Sequence, residues 1–441
     1  MMVAPAGNAQ RSNADSLKSM SYIQNGHIRV GIDLNLGGSI TYLANLRDEQ
    51  NVINNYDWGR QVQMSFYSQP RPYTPNGKQP APYWRNLGWN PIQSGDYAGN
   101  QSKILDHKND GKSLYVKCIP MQWPLDNEPG DCFFESWITL KGKTVEVTSK
   151  ITNQRLDKTQ YRSGHQELPA IYTNAPYHRL VTYAGNRPFE RDSLTAIKNH
   201  NYPDGSQIVW ADWHATEGWA ANLNKNDYGL GVWHPTAQEF KGGYYGDDRF
   251  IGGSKDAGTG YISPLHAEIL DHNIEYEYRY VLILGTLGEI RDYAYQNRHR
   301  QLKSGFVFSK DRQHWILNNT TDTGWPLKKQ WQIKLAPGAA SLSPLIFWKA
   351  EDKAGIEIRA AVSAPLGKAR VYLRRFGERQ FDESSFYEFE MPAGRRFGKY
   401  YIDLNTSPAY KGDYDRIKIV WATEGETKEE MVNVKRIVLK P

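Results

Sequence analysis

The sequence predicts an all-β chain made of two antiparallel sandwiches, a large one over residues 20–305 and a smaller one over residues 331–441. Three observations lead there. Apolar and polar residues alternate over short runs, turn residues punctuate those runs, and only one stretch has the spacing of a helix. At 441 residues the chain is longer than one ordinary core supports, so two domains are expected.

Taken in order, residues 1–19 read as a leader or tail. Gly7-Asn8-Ala9 before Gln10 has the small-x-small pattern that ends a secretory signal, which leads us to expect a secreted or periplasmic protein. The first strand signal is His27-Ile28-Arg29-Val30-Gly31-Ile32-Asp33-Leu34, followed by the turn Gly37-Gly38. A second is Lys143-Thr144-Val145-Glu146-Val147-Thr148-Ser149-Lys150-Ile151-Thr152. Residues 219–233 read as a hairpin closed by Asn224-Lys225-Asn226-Asp227. The helix begins at Thr286-Leu287-Gly288-Glu289, a capping box with Leu287, Ile290 and Ala294 on one face. Residues 306–330 read as a linker, and eight further strand signals recur between Lys329 and Leu439.

Composition narrows the function classes. The net charge of +6 and pI near 8.9 are mild for this length, and no Lys/Arg run has the density of a nucleic-acid tract. No run of eighteen apolar residues is present, so no membrane-spanning helix is expected. Cys118 and Cys132 flank one loop between two strands, and either a hairpin-bridging disulfide or two buried thiols fits. The sequence leaves the oligomeric state open.

The aromatic residues are 28 Tyr and 14 Trp against 14 Phe, a bias toward rings that carry a polar handle. They crowd with amides and charges over residues 56–100: Tyr56-Asp57-Trp58-Gly59-Arg60, Gln63, Tyr67, Tyr73, Tyr83-Trp84-Arg85-Asn86, Trp89-Asn90, Gln93, Asp96, Tyr97 and Asn100. A flat ring covers the C–H face of a sugar, and planar amide, guanidinium and carboxylate groups bond its hydroxyls. Arg60, Gln63, Trp84, Arg85, Trp89, Gln93, Asp96 and Tyr97 are therefore expected to line a saccharide site. The alternative is a long loop that packs its rings onto the core.

Candidate acids and bases lie further along. In Ser163-Gly164-His165-Gln166-Glu167-Leu168-Pro169, a strand would place His165 and Glu167 on one face and Gln166 on the other. Tyr172 follows on the same run. His266 and Glu268 repeat the two-residue spacing in Pro264-Leu265-His266-Ala267-Glu268. An imidazole beside a carboxylate suits proton transfer near neutral pH, although an ordinary ion pair gives the same pattern. Trp210, Trp213 and Trp219 either wall a cleft or fill the core, with core favoured for Trp213 and Trp219. No zinc-ligand set, phosphate-binding loop or nucleophile elbow is present, so no cofactor is expected; Asp247-Asp248 is the one pair considered for a structural calcium ion.

Gly31-Ile32-Asp33-Leu34-Asn35-Leu36-Gly37-Gly38-Ser39-Ile40-Thr41, residues 145–153 and the stretch from His165 to Pro169 resemble the galactose-mutarotase-like supersandwich over roughly residues 20 to 300. That resemblance implies a His and a Glu from different strands meeting in a concave sheet face, with the base on a late strand, the place of Glu268. The stretch from Phe397 to Gly412 resembles the jelly-roll carbohydrate-binding modules of polysaccharide-active enzymes.

Together these readings lead to an enzyme that cleaves glycosidic bonds in an oligo- or polysaccharide, with Glu167 and Glu268 as the carboxylates and His165 tuning Glu167. Two rivals remain. In a polysaccharide lyase, His165 or Tyr172 would take the proton beside a uronate carboxylate that Arg60 or Arg85 neutralises. In a non-catalytic glycan-binding protein, the same residues would only hold the ligand.

Overall fold

The computed structural model describes residues 19–198, 200–201, 207–208, 210–298, 303–362, 366–392, 394–422 and 430–441; the Gly7-Asn8-Ala9 pattern lies outside them. The chain forms two compact units. The first comprises residues 1–157, 165–266 and 275–298, and the second residues 158–164, 267–274 and 299–441. Both are antiparallel β structures, as the alternation predicts.

In the first unit, one sheet of ten strands runs from Met20–Gln24 through Ile28–Asp33, Ser39–Asn45, Val62–Ser65, Gly164–Asn174, Thr259–Glu268 and Glu239–Tyr245 to Ala211–His214. A second sheet of nine strands centres on Glu275–Thr286, Thr144–Asn153 and Cys132–Lys141. Phe66 joins the sheets, with its ring 5.4 Å from Phe134 and 6.3 Å from both Tyr276 and Tyr278. The Gly37-Gly38 turn has positive φ at both residues, and a Cβ on Gly38 would stand 2.5 Å from Val116. Only glycine allows this approach.

The hairpin read over residues 219–233 is present, with Trp219 paired to Trp233. The helix spans Leu287–Asn297 and carries the capping box: Thr286 accepts from the Glu289 amide, and Glu289 accepts from the Thr286 amide at 2.8 Å. Ile290 and Ala294 bury against Trp219, Trp233 and Ile283. Cys118 and Cys132 are both buried free thiols, pushed to high pKa by burial.

The second unit pairs a five-stranded with a six-stranded sheet. The region read as a linker contributes strands to it: Gly305–Val307 pairs with Met431–Lys440, and Ile316–Asn318 pairs with Ala340–Leu342. Its core holds Trp315, Trp331 and Trp421, together with Ile269 from the 267–274 segment. A buried ionic cluster lies in the same unit. Arg312 reaches Asp271 and Asp322 at 2.5 Å each, and Gln160 bonds both carboxylates.

Candidate functional site

Strand alternation decides which side chains reach the free face of the ten-stranded sheet. Phe66 points into the core, so its neighbours Ser65 and Tyr67 point the other way. Glu167 sits opposite Ser65 in the register, and Ala170 opposite Gln63, with an irregularity between them. Pro169 has no N–H to offer the ladder there. The Gln166 amide bridges the gap, accepting from Tyr67 N at 2.7 Å and donating to Tyr67 O at 3.0 Å. Gln166 thus braces the strand from one side while His165 and Glu167 occupy the other.

On this face lies a cavity of about 560 Å³. Its lining includes Asp57, Trp58, Arg60, Gln63, Tyr67, Tyr83, Trp84, Tyr97, Trp123, Glu167, Tyr172, Trp210 and Tyr261. The rings form two groups. Tyr261 stands 4.7 Å from Tyr172 and 4.8 Å from Trp210, and Trp84 stands 5.7 Å from Trp123 and 5.5 Å from Tyr83. Tyr83 is 52% exposed and forms a rim.

Glu167 is the acid of this cavity. The Tyr261 hydroxyl donates to it at 2.7 Å, and Tyr67 and Ser65 also hydrogen-bond it. Burial pushes its carboxyl above the usual carboxylate range, and those donors and the Lys241 ammonium only partly offset that. The neighbouring phenols of Tyr67, Tyr172 and Tyr261 are pushed up as well, first by burial and then by the Glu167 charge, so they stay protonated as donors.

A second carboxylate, Asp57, also lines the cavity. Its Oδ2 lies 3.1 Å from Arg60 Nε and its Oδ1 accepts from Gly59 N at 2.9 Å. Burial raises its pKa, with the Arg60 guanidinium opposing. Arg60 also donates to the Ala257 carbonyl and lies 5.0 Å from the Tyr56 ring centroid.

Of the residues expected from sequence, Arg60, Gln63, Trp84, Tyr97, Glu167 and Tyr172 come together here. Gln63 lies at the wall with its amide engaged by Gly59 O and Ser94. Others serve the framework. Trp89 is fully buried and donates to Asp131 at 2.8 Å. Gln93 is buried and bonds Met64 N and Gly37 O. Asp96 accepts from the backbone of Ala98, Asn100 and Asn127. An irregular segment leaves backbone groups without ladder partners, and these buried polar side chains satisfy them. Arg85 is exposed and outside the lining, and His266 is buried outside it.

Glu268 is the main correction. It belongs to the second unit, where it accepts from Ile269 N and lies 3.3 Å from His314 Nδ1. It is not among the residues that line the cavity. Tyr410, within the stretch from Phe397 to Gly412, is buried and accepts from the Trp348 indole. Trp213 and Trp219 are core, as favoured. Asp247 pairs with Arg249, and among the described residues no three His, Cys, Asp or Glu side chains converge as a metal site would require.

The sequence reading gave no role to Asp57 and did not single out Trp123 or Tyr261. Trp123 stands alone in Gln122-Trp123-Pro124, and Tyr261 reads as an ordinary strand residue. Only the sheet order brings them to Glu167.

No family model matches the chain, and no curated protein matches it. Solved structures similar to it cover about 60% of its length. A putative aldose 1-epimerase from Escherichia coli is 13% identical, with 61% of this chain and 99% of that chain covered at a TM-score of 0.39. A galactose mutarotase-like protein from Lactobacillus casei is 12% identical, with 60% and 99% covered at a TM-score of 0.40. A galactose mutarotase related enzyme from Lactobacillus acidophilus is 12% identical, with 60% and 97% covered at 0.36.

Proposed function

We propose that the ring-lined cavity binds a saccharide and that the protein cleaves a glycosidic bond there, with Glu167 as general acid. The observation that carries this is a carboxyl held above its ordinary pKa among aromatic rings in a cavity of ligand size. The protonated Glu167 gives its proton to the leaving glycosidic oxygen. Water attacks the anomeric carbon and loses its proton to Asp57, which takes the second carboxylate's role in place of Glu268. The Tyr172, Tyr261 and Trp210 rings face the apolar side of the sugar. A polymer of this kind is met outside the cell, in keeping with the secretion read from residues 7–10.

The test is incubation with a panel of polysaccharides, assayed for new reducing ends, with Glu167→Gln alongside. New reducing ends that the variant fails to release support the reading. Unsaturated near-ultraviolet product points instead to elimination, and binding without any product points to a glycan-binding protein.

A further inference from the structure

Glu167 and Tyr67 line a second depression on the same sheet face, about 460 Å³, with Arg71, His165, Asp212, Glu239, Lys241 and Leu265. The two hollows therefore meet at the proposed acid. Their chemistry differs. The first is walled by rings, the second by charges.

Two of the charged side chains of the second hollow have partners on the neighbouring strand. Lys241 is held by Asp212 at 2.7 Å, and Glu239 by His214 at 3.0 Å. The register enforces both pairs, because Asp212 lies opposite Lys241 and His214 opposite Glu239. Arg71 and His165 remain, both exposed and neither with an ion-pair partner among the described residues. Arg71 therefore presents a guanidinium without an ion-pair partner to this hollow, and its planar fork is suited to carboxylate or sulfate oxygens.

We propose that this second hollow continues the binding trough beyond Glu167 and takes an anionic sugar residue, with Arg71 as the specificity-determining cation. This rests on the reading of the ring-lined cavity as a saccharide site. The substrate would then place a less polar sugar face on the rings and an acidic unit on Arg71, with the scissile bond at Glu167.

The experiment titrates the full chain carrying Glu167→Gln, so that ligand is not consumed, with matched neutral, uronate-bearing and sulfate-bearing oligosaccharides by calorimetry. One acidic series should bind about tenfold or more tightly than the neutral one, and added salt should erode the difference. Arg71→Gln should abolish that preference and leave neutral affinity unchanged, while Trp84→Ala should weaken all ligands. The series that gains, uronate or sulfate, identifies the anion. Equal binding of neutral and acidic ligands, or a preference that survives Arg71→Gln, overturns the anionic subsite but leaves the saccharide cavity standing. No binding by any series overturns the cavity reading, and this proposal with it.

Discussion

The Tyr261 hydroxyl donates to Glu167 across 2.7 Å, from a strand 94 residues away in sequence. A phenol that bonds the ionised form of a half-buried acid favours loss of the acid's proton, against the effect of desolvation. The proton affinity of Glu167 is therefore set by how these two effects balance.

The first prediction concerns that balance. A general acid must be protonated, so activity should fall as pH rises through the Glu167 pKa. Glu167→Gln should lower kcat roughly 10² to 10⁴-fold. Tyr261→Phe removes a donor to the carboxylate, so the alkaline limb should move up by roughly one to two pH units. The pH–rate profiles of wild type and Tyr261→Phe decide this, and a limb that stays put or moves down refutes it.

A second prediction separates rings that bind from rings that hold the fold. Trp84→Ala should weaken saccharide binding by about 1 kcal/mol or more with little change in stability. Trp89→Ala should instead cost about 3–5 kcal/mol of stability, because its ring is fully buried and its indole N–H holds Asp131. Chemical denaturation and calorimetric titration of both variants measure the contrast.

The third concerns Glu268. Burial opposes protonation of His314, but the Glu268 carboxylate outweighs it and raises the imidazole pKa. A raised pKa stabilises the fold below the unfolded-state value and loses that contribution as pH rises through the folded one. Glu268→Gln should therefore lower Tm more at acidic than at alkaline pH, measured by thermal scans across pH. The effect is modest, since His314 is 47% exposed and salt screens the pair. Polysaccharide cleavage should be unaffected, and a large loss would return Glu268 to the site.

A fourth uses the Arg312 cluster. Burial raises the Asp322 pKa, but its bonds to Arg312 outweigh this and hold it below the usual carboxylate range. Its stabilisation is present above the unfolded-state pKa and is lost as pH falls through the folded one. Asp322→Asn leaves Arg312 paired with Asp271 alone and weakens the charge-assisted bonds from Arg312 and the Trp331 indole, which should cost about 1.5–3 kcal/mol at neutral pH. Denaturant unfolding at neutral and acidic pH should show the penalty shrinking as the wild-type carboxylate protonates.

Much of the fold was legible because strands announce themselves locally. The alternation in residues 143–152, the Gly37-Gly38 turn and the Thr286–Glu289 cap each carry their cause within a few residues. Glu167 and Tyr172 were legible as members of one strand face. Trp89, Gln93 and Asp96 were misread because a ring or amide that binds sugar has the same sequence signature as one that repairs an irregular backbone. Glu268 was misread because a two-residue spacing fixes the face of a strand but not which unit that end of the strand serves.

The path of the chain has a consequence for how this protein can be divided. Ile269 and Asp271 are made before residue 299, yet they are buried with Trp331 and Arg312. A fragment ending near residue 300 would leave an isoleucine bare and a carboxylate without its cation. One beginning there would keep Arg312 but lack Asp271. A single cut cannot release either half intact, and during synthesis Asp271 must wait for Arg312, 41 residues later, to neutralise it.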